Sequence, residues 1–136
     1  MVQIVDFGKS IASSSSQSIT LPILGSPTSN TLAEFGLNVS AGGNVLLNAT
    51  IGLQTTLGTP DLLFTVLRSG AQIFTIRSSG LAVNSFNPVS FSFVDTNVPA
   101  GYYAYTVIVS NTSVIALNVA NVIGPIIFSG LSLTSS

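Results

Sequence analysis

Apolar residues recur at every second position in several stretches of this chain, and a period of two is the mark of a strand with one buried face. The clearest case runs from Asn44 to Gln54, where Val45, Leu47, Ala49, Ile51 and Leu53 share one face and mostly polar residues the other. Val89 to Asp95 repeats the pattern, with Val89, Phe91 and Phe93 directed inward against Ser90 and Ser92. Leu62 to Leu67 and Ile73 to Arg77 flank Arg68-Ser69-Gly70-Ala71-Gln72, whose glycine can take the positive φ of a hairpin turn. Further strands are predicted over Thr31–Val39, Tyr102–Ser110, Val114–Val119 and Ile126–Leu133. Turn signals separate them at Gly42-Gly43, Gly58-Thr59-Pro60, Asn87-Pro88, Val98-Pro99-Ala100-Gly101 and Ile123-Gly124-Pro125. No stretch sustains a helical period with caps. About nine or ten strands at this spacing predict an all-β sandwich of two sheets, with a jelly roll as the leading topology. An immunoglobulin-like sandwich, which normally has fewer strands, is the runner-up.

The first 18 residues read differently from the remainder, which divides the chain into an N-terminal arm with its tether (1–18) and a sandwich domain (19–136). The arm holds Val2, Ile4, Val5 and Phe7 and is followed by Ser13-Ser14-Ser15-Ser16-Gln17-Ser18, a composition expected to be flexible. Two readings stand: a first strand that folds back on its own domain, or one that adds to a neighbour. Burying the four apolar side chains would contribute about 6 to 10 kcal/mol gross, before ordering entropy is subtracted.

Composition narrows the chemistry. The 136 residues include no Cys, His or Trp, so there is no Ser-His triad, thiolate nucleophile or zinc site of nitrogen and sulfur ligands. Only 5% of residues are charged, where soluble domains carry about 25%, and Ser, Thr, Asn, Gln and Gly must solvate the surface instead. The charges, Asp6, Lys9, Glu34, Asp61, Arg68, Arg77 and Asp95, stand singly and cannot form a phosphate-binding stripe. Nucleic-acid binding is therefore not expected, and neither is a cofactor. A near-neutral exterior gives little repulsion between copies and permits dense packing. No apolar run approaches the roughly 20 residues of a membrane span. The start lacks the basic and long apolar regions of a secretory signal, and Met1 favours a route that bypasses such export.

Lone carboxylates give no catalytic pair of the kind a glycosidase needs, so no catalytic residue and no metal ligand is assigned. Asp61 after Pro60 and Asp95 before Thr96-Asn97 read as turn residues bonding nearby backbone amides. Glu34, between Ala33 and Phe35, either points to solvent or pairs with Arg68 or Arg77 across a subunit interface. Asn38-Val39-Ser40, Asn48-Ala49-Thr50 and Asn111-Thr112-Ser113 match the glycosylation triplet but are expected by chance in a chain this rich in Ser, Thr and Asn.

Two segments carry more than periodicity. Gly101-Tyr102-Tyr103-Ala104-Tyr105 and the close Phe128-Ser129-Gly130-Leu131-Ser132-Leu133 resemble signatures of the C1q and tumour-necrosis-factor jelly-roll superfamily. Beyond them, nearly the whole chain resembles the exosporium protein C type of small spore-surface protein of Bacillus and relatives. The matching stretches are Ile4-Val5-Asp6-Phe7, Leu32-Ala33-Glu34-Phe35-Gly36-Leu37, Thr56-Leu57-Gly58-Thr59-Pro60, Arg68 before Gln72-Ile73-Phe74, Asp95 to Gly101, and Val122-Ile123-Gly124-Pro125. The Gly-x-y repeat of collagen-like spore glycoproteins is missing. The resemblance implies a jelly-roll protein of the spore's outer layers, assembled inside the mother cell and exposed when it lyses. It brings no catalytic residues.

Trimerisation is the habit of that superfamily, and Tyr103, Tyr105 and Phe128 are the candidate subunit-interface residues. The other reading of the two tyrosines is sandwich core, with each hydroxyl reaching a partner at the rim. The function expected is a non-enzymatic structural protein of the spore surface, exosporium or appendage, that self-assembles as trimers joined through the arm into a filament or array. Its partners would be further copies of itself and other spore-surface proteins. The alternatives are a receptor- or glycan-binding jelly-roll head, and a viral capsid or decoration protein.

Overall fold

The computed structural model describes residues 2–78, 83–84 and 86–135. Among them are nine strands and no helix: β1 (Val2–Ser13), β2 (Leu21–Pro22), β3 (Asn30–Val39), β4 (Gly43–Leu57), β5 (Leu62–Arg68), β6 (Ala71–Ser78), β7 (Phe86–Val98), β8 (Gly101–Asn111) and β9 (Val119–Ser135). One sheet runs β1-β9-β4-β7, with β2 also on β9, and the second runs β3-β8-β5-β6. All pairings between these strands are antiparallel. The chain passes repeatedly from one sheet to the other, so strands distant in sequence become neighbours. The last strand lies between the first and the fourth.

The alternation read from the sequence sets the core. Val45, Leu47, Ala49, Ile51 and Leu53 of β4 are all buried, facing Leu37, Phe64, Val66, Tyr105 and Val107 among the residues of the opposite sheet. Phe91 of β7 is buried, and Val89 and Phe93 pack beside it. The β5–β6 hairpin turns on Ser69 and Gly70, both at positive φ, the combination that matches the twist of two-residue hairpins.

Three local expectations change. Val114 to Asn118 is a loop, because its backbone is claimed by side chains before it can join a ladder. The Asn111 amide donates to the Asn118 carbonyl at 2.8 Å, and the Asn118 amide donates to the Val114 carbonyl at 3.0 Å. Asn87-Pro88 is strand, not turn: β7 is the edge of its sheet, where proline's missing N–H costs no ladder bond. Ile123-Gly124-Pro125 is an insertion within β9, which pairs with β4 on both sides of it. Gly52 opposite leaves the room it requires, since a Cβ there would run into the Gly124 carbonyl.

Candidate assembly face

The arm forms a strand on its own domain. β1 runs along β9 from Val2 opposite Ser135 to Ser13 opposite Ile126, with bulges between Ile4 and Asp6 and between Ile11 and Ser13. Gly8 lies opposite Gly130, and the ring of Phe35 from β3 packs over both. A Cβ at Gly8 would stand 2.5 Å from Phe35 Cδ1, and one at Gly130 would stand 2.7 Å from Phe35 Cζ. The two glycines make the seat for the ring. Asp6, beside the first bulge, accepts hydrogen bonds from the Phe7 and Asn38 amides, each at 2.9 Å, and so ties β1 to the edge strand β3 of the other sheet. The serine stretch is a bonded turn: the Ser18 hydroxyl donates to the Ser15 carbonyl at 2.8 Å, and the Ser13 hydroxyl contacts that of Ser18.

Docking β1 in this way leaves most of its apolar side chains outside. Val2, Ile4, Phe7 and Ile11 are 50 to 69% exposed, and Val5, on the bulge, 36%. Directly paired residues of antiparallel strands share a face. The register therefore builds an apolar row across four strands: Phe7, Leu131, Leu46 and Val94. Ile4 with Leu133, and Ile11 with Ile127, extend it above and below. Between them lies a polar row of Lys9, Ser129, Asn48 and Ser92, in which Lys9 is the only charge. The outer surface of the five-stranded sheet thus has an apolar character that its inner surface shares.

The remaining charges are engaged elsewhere. Arg68 of β5 and Asp95 of β7 form an ion pair at 2.6 Å that links the two sheets, and the Tyr105 hydroxyl donates to the same carboxylate at 2.9 Å. The hydrogen bond to Asp95 raises the Arg68 pKa, and burial followed by the bond to Asp95 raises that of Tyr105. Asp95 is consequently a buried inter-sheet clamp and not the turn residue expected. Asp61 pairs with Arg77 at 2.7 Å, so its carboxylate too is spent on a side chain and not on turn amides. Glu34 is exposed and accepts from the Thr106 hydroxyl at 2.8 Å.

The candidate interface residues separate. Tyr105 and Phe128 are fully buried within one chain, with Phe35 between them at ring centroid distances of 5.9 and 4.8 Å. They are core residues, which corrects the expectation that they pack about a subunit axis. Tyr103 is half-buried, donates to the Pro99 carbonyl at 2.8 Å, and has the Arg68 guanidinium 5.6 Å from its ring centre. Leu46, Val94, Ile127 and Leu131 were not singled out from the sequence. The signal for them was present in Val45-Leu46-Leu47, Phe93-Val94 and Ile126-Ile127-Phe128, where apolar residues on consecutive positions give a strand two apolar faces.

No protein-family model matches the chain. No curated protein matches its sequence. Among solved structures, the chain is similar to the Eiger TNF of S. frugiperda over 96% of its own length and 93% of that chain, at 11% identity and a TM-score of 0.56. This is a TNF-like jelly roll. The infectious bursal disease virus Gx strain structure is also similar, at 14% identity and a TM-score of 0.54; this jelly roll spans 32% of that chain. Identities this low carry the fold and nothing further.

Proposed function

We propose that this jelly roll is a non-enzymatic, self-assembling structural protein of the bacterial spore surface, built as trimers that join through the N-terminal arm into a filament or array. The observation that carries self-assembly is the apolar row Phe7, Leu131, Leu46 and Val94 on an outer sheet surface with a single charge. An apolar surface of this kind marks an interaction site in a soluble protein, and the rarity of charge removes the repulsion that would keep copies apart. Three such sheets about one axis would cover the row in a closed unit. The spore setting is supported by the sequence resemblance alone. The non-enzymatic part of the reading draws on the carboxylates Asp95, Asp61, Asp6 and Glu34, each of which holds a structural partner.

The binding-head alternative would use a groove at the serine-turn end, lined by Gly52, Leu53, Phe86 and Pro88 among others. At about 60 Å³ it falls well below the roughly 300 Å³ at which ligand sites begin. A capsid or decoration role shares the fold, and isolation from spores or from virions separates it. Sedimentation of the full chain beside Leu46→Asp tests the primary reading. Leu46 lies on the outer face, so the fold should survive while the trimer falls to monomer. A wild-type chain that is monomeric at high concentration overturns it.

A further inference from the structure

The sandwich has two unlike ends. At one, β1 begins with Val2 and Ile4 beside the end of β9. At the other, the loop after β8 exposes Val114, Ile115 and Leu117, with Leu24 and Leu57 on neighbouring segments, all 43 to 67% exposed. Their common location is fixed by contacts: Ile115 lies against Gly25, the Asn111 amide donates to the Leu24 carbonyl, and the Asn118 side chain accepts from the Thr59 amide at 3.0 Å. Two internal bonds close the loop on itself, those from the Asn118 side chain and from the Leu117 amide to the Val114 carbonyl. Aliphatic side chains in water on a loop tip are unusual, because turns favour Gly, Pro, Asn, Asp and Ser.

Resting on the self-assembly reading above, we infer that this tip is the receiving surface for the N-terminal end of β1 in the next copy. The joint is head to tail, with the arm remaining on its own β9. The pairing of β1 with β9 from Val2 to Ser13, interrupted only by two bulges, argues for presentation of the arm's beginning in place, since strand donation would have to break every one of those pairs. Val2 and Ile4 offer apolar chemistry that matches the tip, at the opposite end of the same molecule. Size decides how many tips are needed. Five half-exposed aliphatic side chains make a patch of about 400 Å², no more than ordinary monomers carry. Cyclic symmetry turns all three tips of a trimer to one side and triples that surface to about 1,200 Å², of which the three presented arm ends cover a part. Three such contacts acting together hold where one would not. A lipid surface is disfavoured as the occupant, because the basic residue at this end, Arg77, is paired with Asp61.

The test uses the full chain with Val114→Ser and Leu117→Ser together, beside a second variant with Val2→Asp. All three positions are exposed and none belongs to the apolar row assigned to the trimer, so both variants should keep the unit mass of the wild type by sedimentation. Each should raise the concentration needed for filaments in negative stain by about tenfold or more. Mixed, the two variants retain one good tip and one good arm end between them, and should stop at paired units without growing further. Filaments of the tip variant at the wild-type concentration would overturn the joint while leaving self-assembly standing. Paired units formed by the arm variant alone would overturn its head-to-tail sense, and vesicle binding lost with the tip substitutions would reassign the tip. A wild-type chain that yields trimers but no filaments removes the inference and keeps the trimer.

Discussion

Strand β4 and strand β1 bring similar apolar side chains to the same sheet, with β9 between them, yet their environments differ. Val45 to Leu53 of β4 point between the sheets and are sealed by Leu37, Phe64 and Tyr105 among others. In β1 the side that faces the core carries Gly8, Ser10 and Asp6, while Phe7 and Ile11 face outward. The core beneath β1 is filled instead by Phe35, whose ring occupies the space that Gly8 and Gly130 leave. An apolar alternation therefore identifies a strand and does not say which side of the sheet its apolar face takes. In β4 that face stabilises the fold, and in β1 it stays exposed on the single chain.

The sharpest way to expose the difference is to remove one large side chain from the inner surface. Phe128 is fully buried beside Phe35, so Phe128→Ala should cost about 3 to 5 kcal/mol in urea unfolding through lost contacts and a residual cavity. A cost under about 1 kcal/mol would mean that the centre of the sandwich is no better packed than its arm.

The second distinction is a titration. Tyr105 has its pKa raised by burial and by its bond to Asp95, so it stays protonated in the folded chain at pH values where the unfolded chain has lost the proton. Below about pH 10 both states hold the proton and its contribution is complete. Above that, the folded state binds more protons than the unfolded state, and stability must fall with rising pH by at most about 1.4 kcal/mol per unit. Tyr105→Phe should remove that alkaline slope, although it also loses the bond to Asp95 and so starts lower. An unchanged slope in the variant would show that Tyr105 is not the group responsible.

Most of the sandwich was legible in the sequence because period-two burial depends on side-chain direction alone. Strands β3, β4, β7 and β8 lie where Thr31–Val39, Asn44–Gln54, Val89–Asp95 and Tyr102–Ser110 were read, β3 extended at its start and the other three at both ends. Pairing order was not legible, since it depends on which strands meet across the fold. The Arg68–Asp95–Tyr105 clamp was hidden for the same reason: its members are separated by 27 and 10 residues and meet only when β5, β7 and β8 assemble. The loop Val114–Asn118 misled because β-branched and aliphatic residues favour a strand, whereas Asn111 and Asn118 fix a turn by bonding the backbone. The apolar outer row needed both kinds of knowledge. Leu46 and Val94 were visible as breaks in the alternation, but only the register shows that they line up with Leu131 and Phe7.

The smallest expected effect on folding is the most informative for function. Phe7 is 56% exposed, so Phe7→Ser removes little buried area and should change the stability of the isolated chain by less than about 1 kcal/mol. Its seat on β9 is held by backbone pairing and by the Gly8–Phe35 contact, neither of which the substitution touches. In an assembly where Phe7 is covered by a second copy, the same change removes a large apolar contact from every subunit interface. Denaturation of dilute monomer beside sedimentation at high concentration separates the two. Near-equal stability with weakened association places the side chain in an interface, whereas a loss of several kcal/mol in the monomer would make β1 an ordinary core strand and erase its contrast with β4.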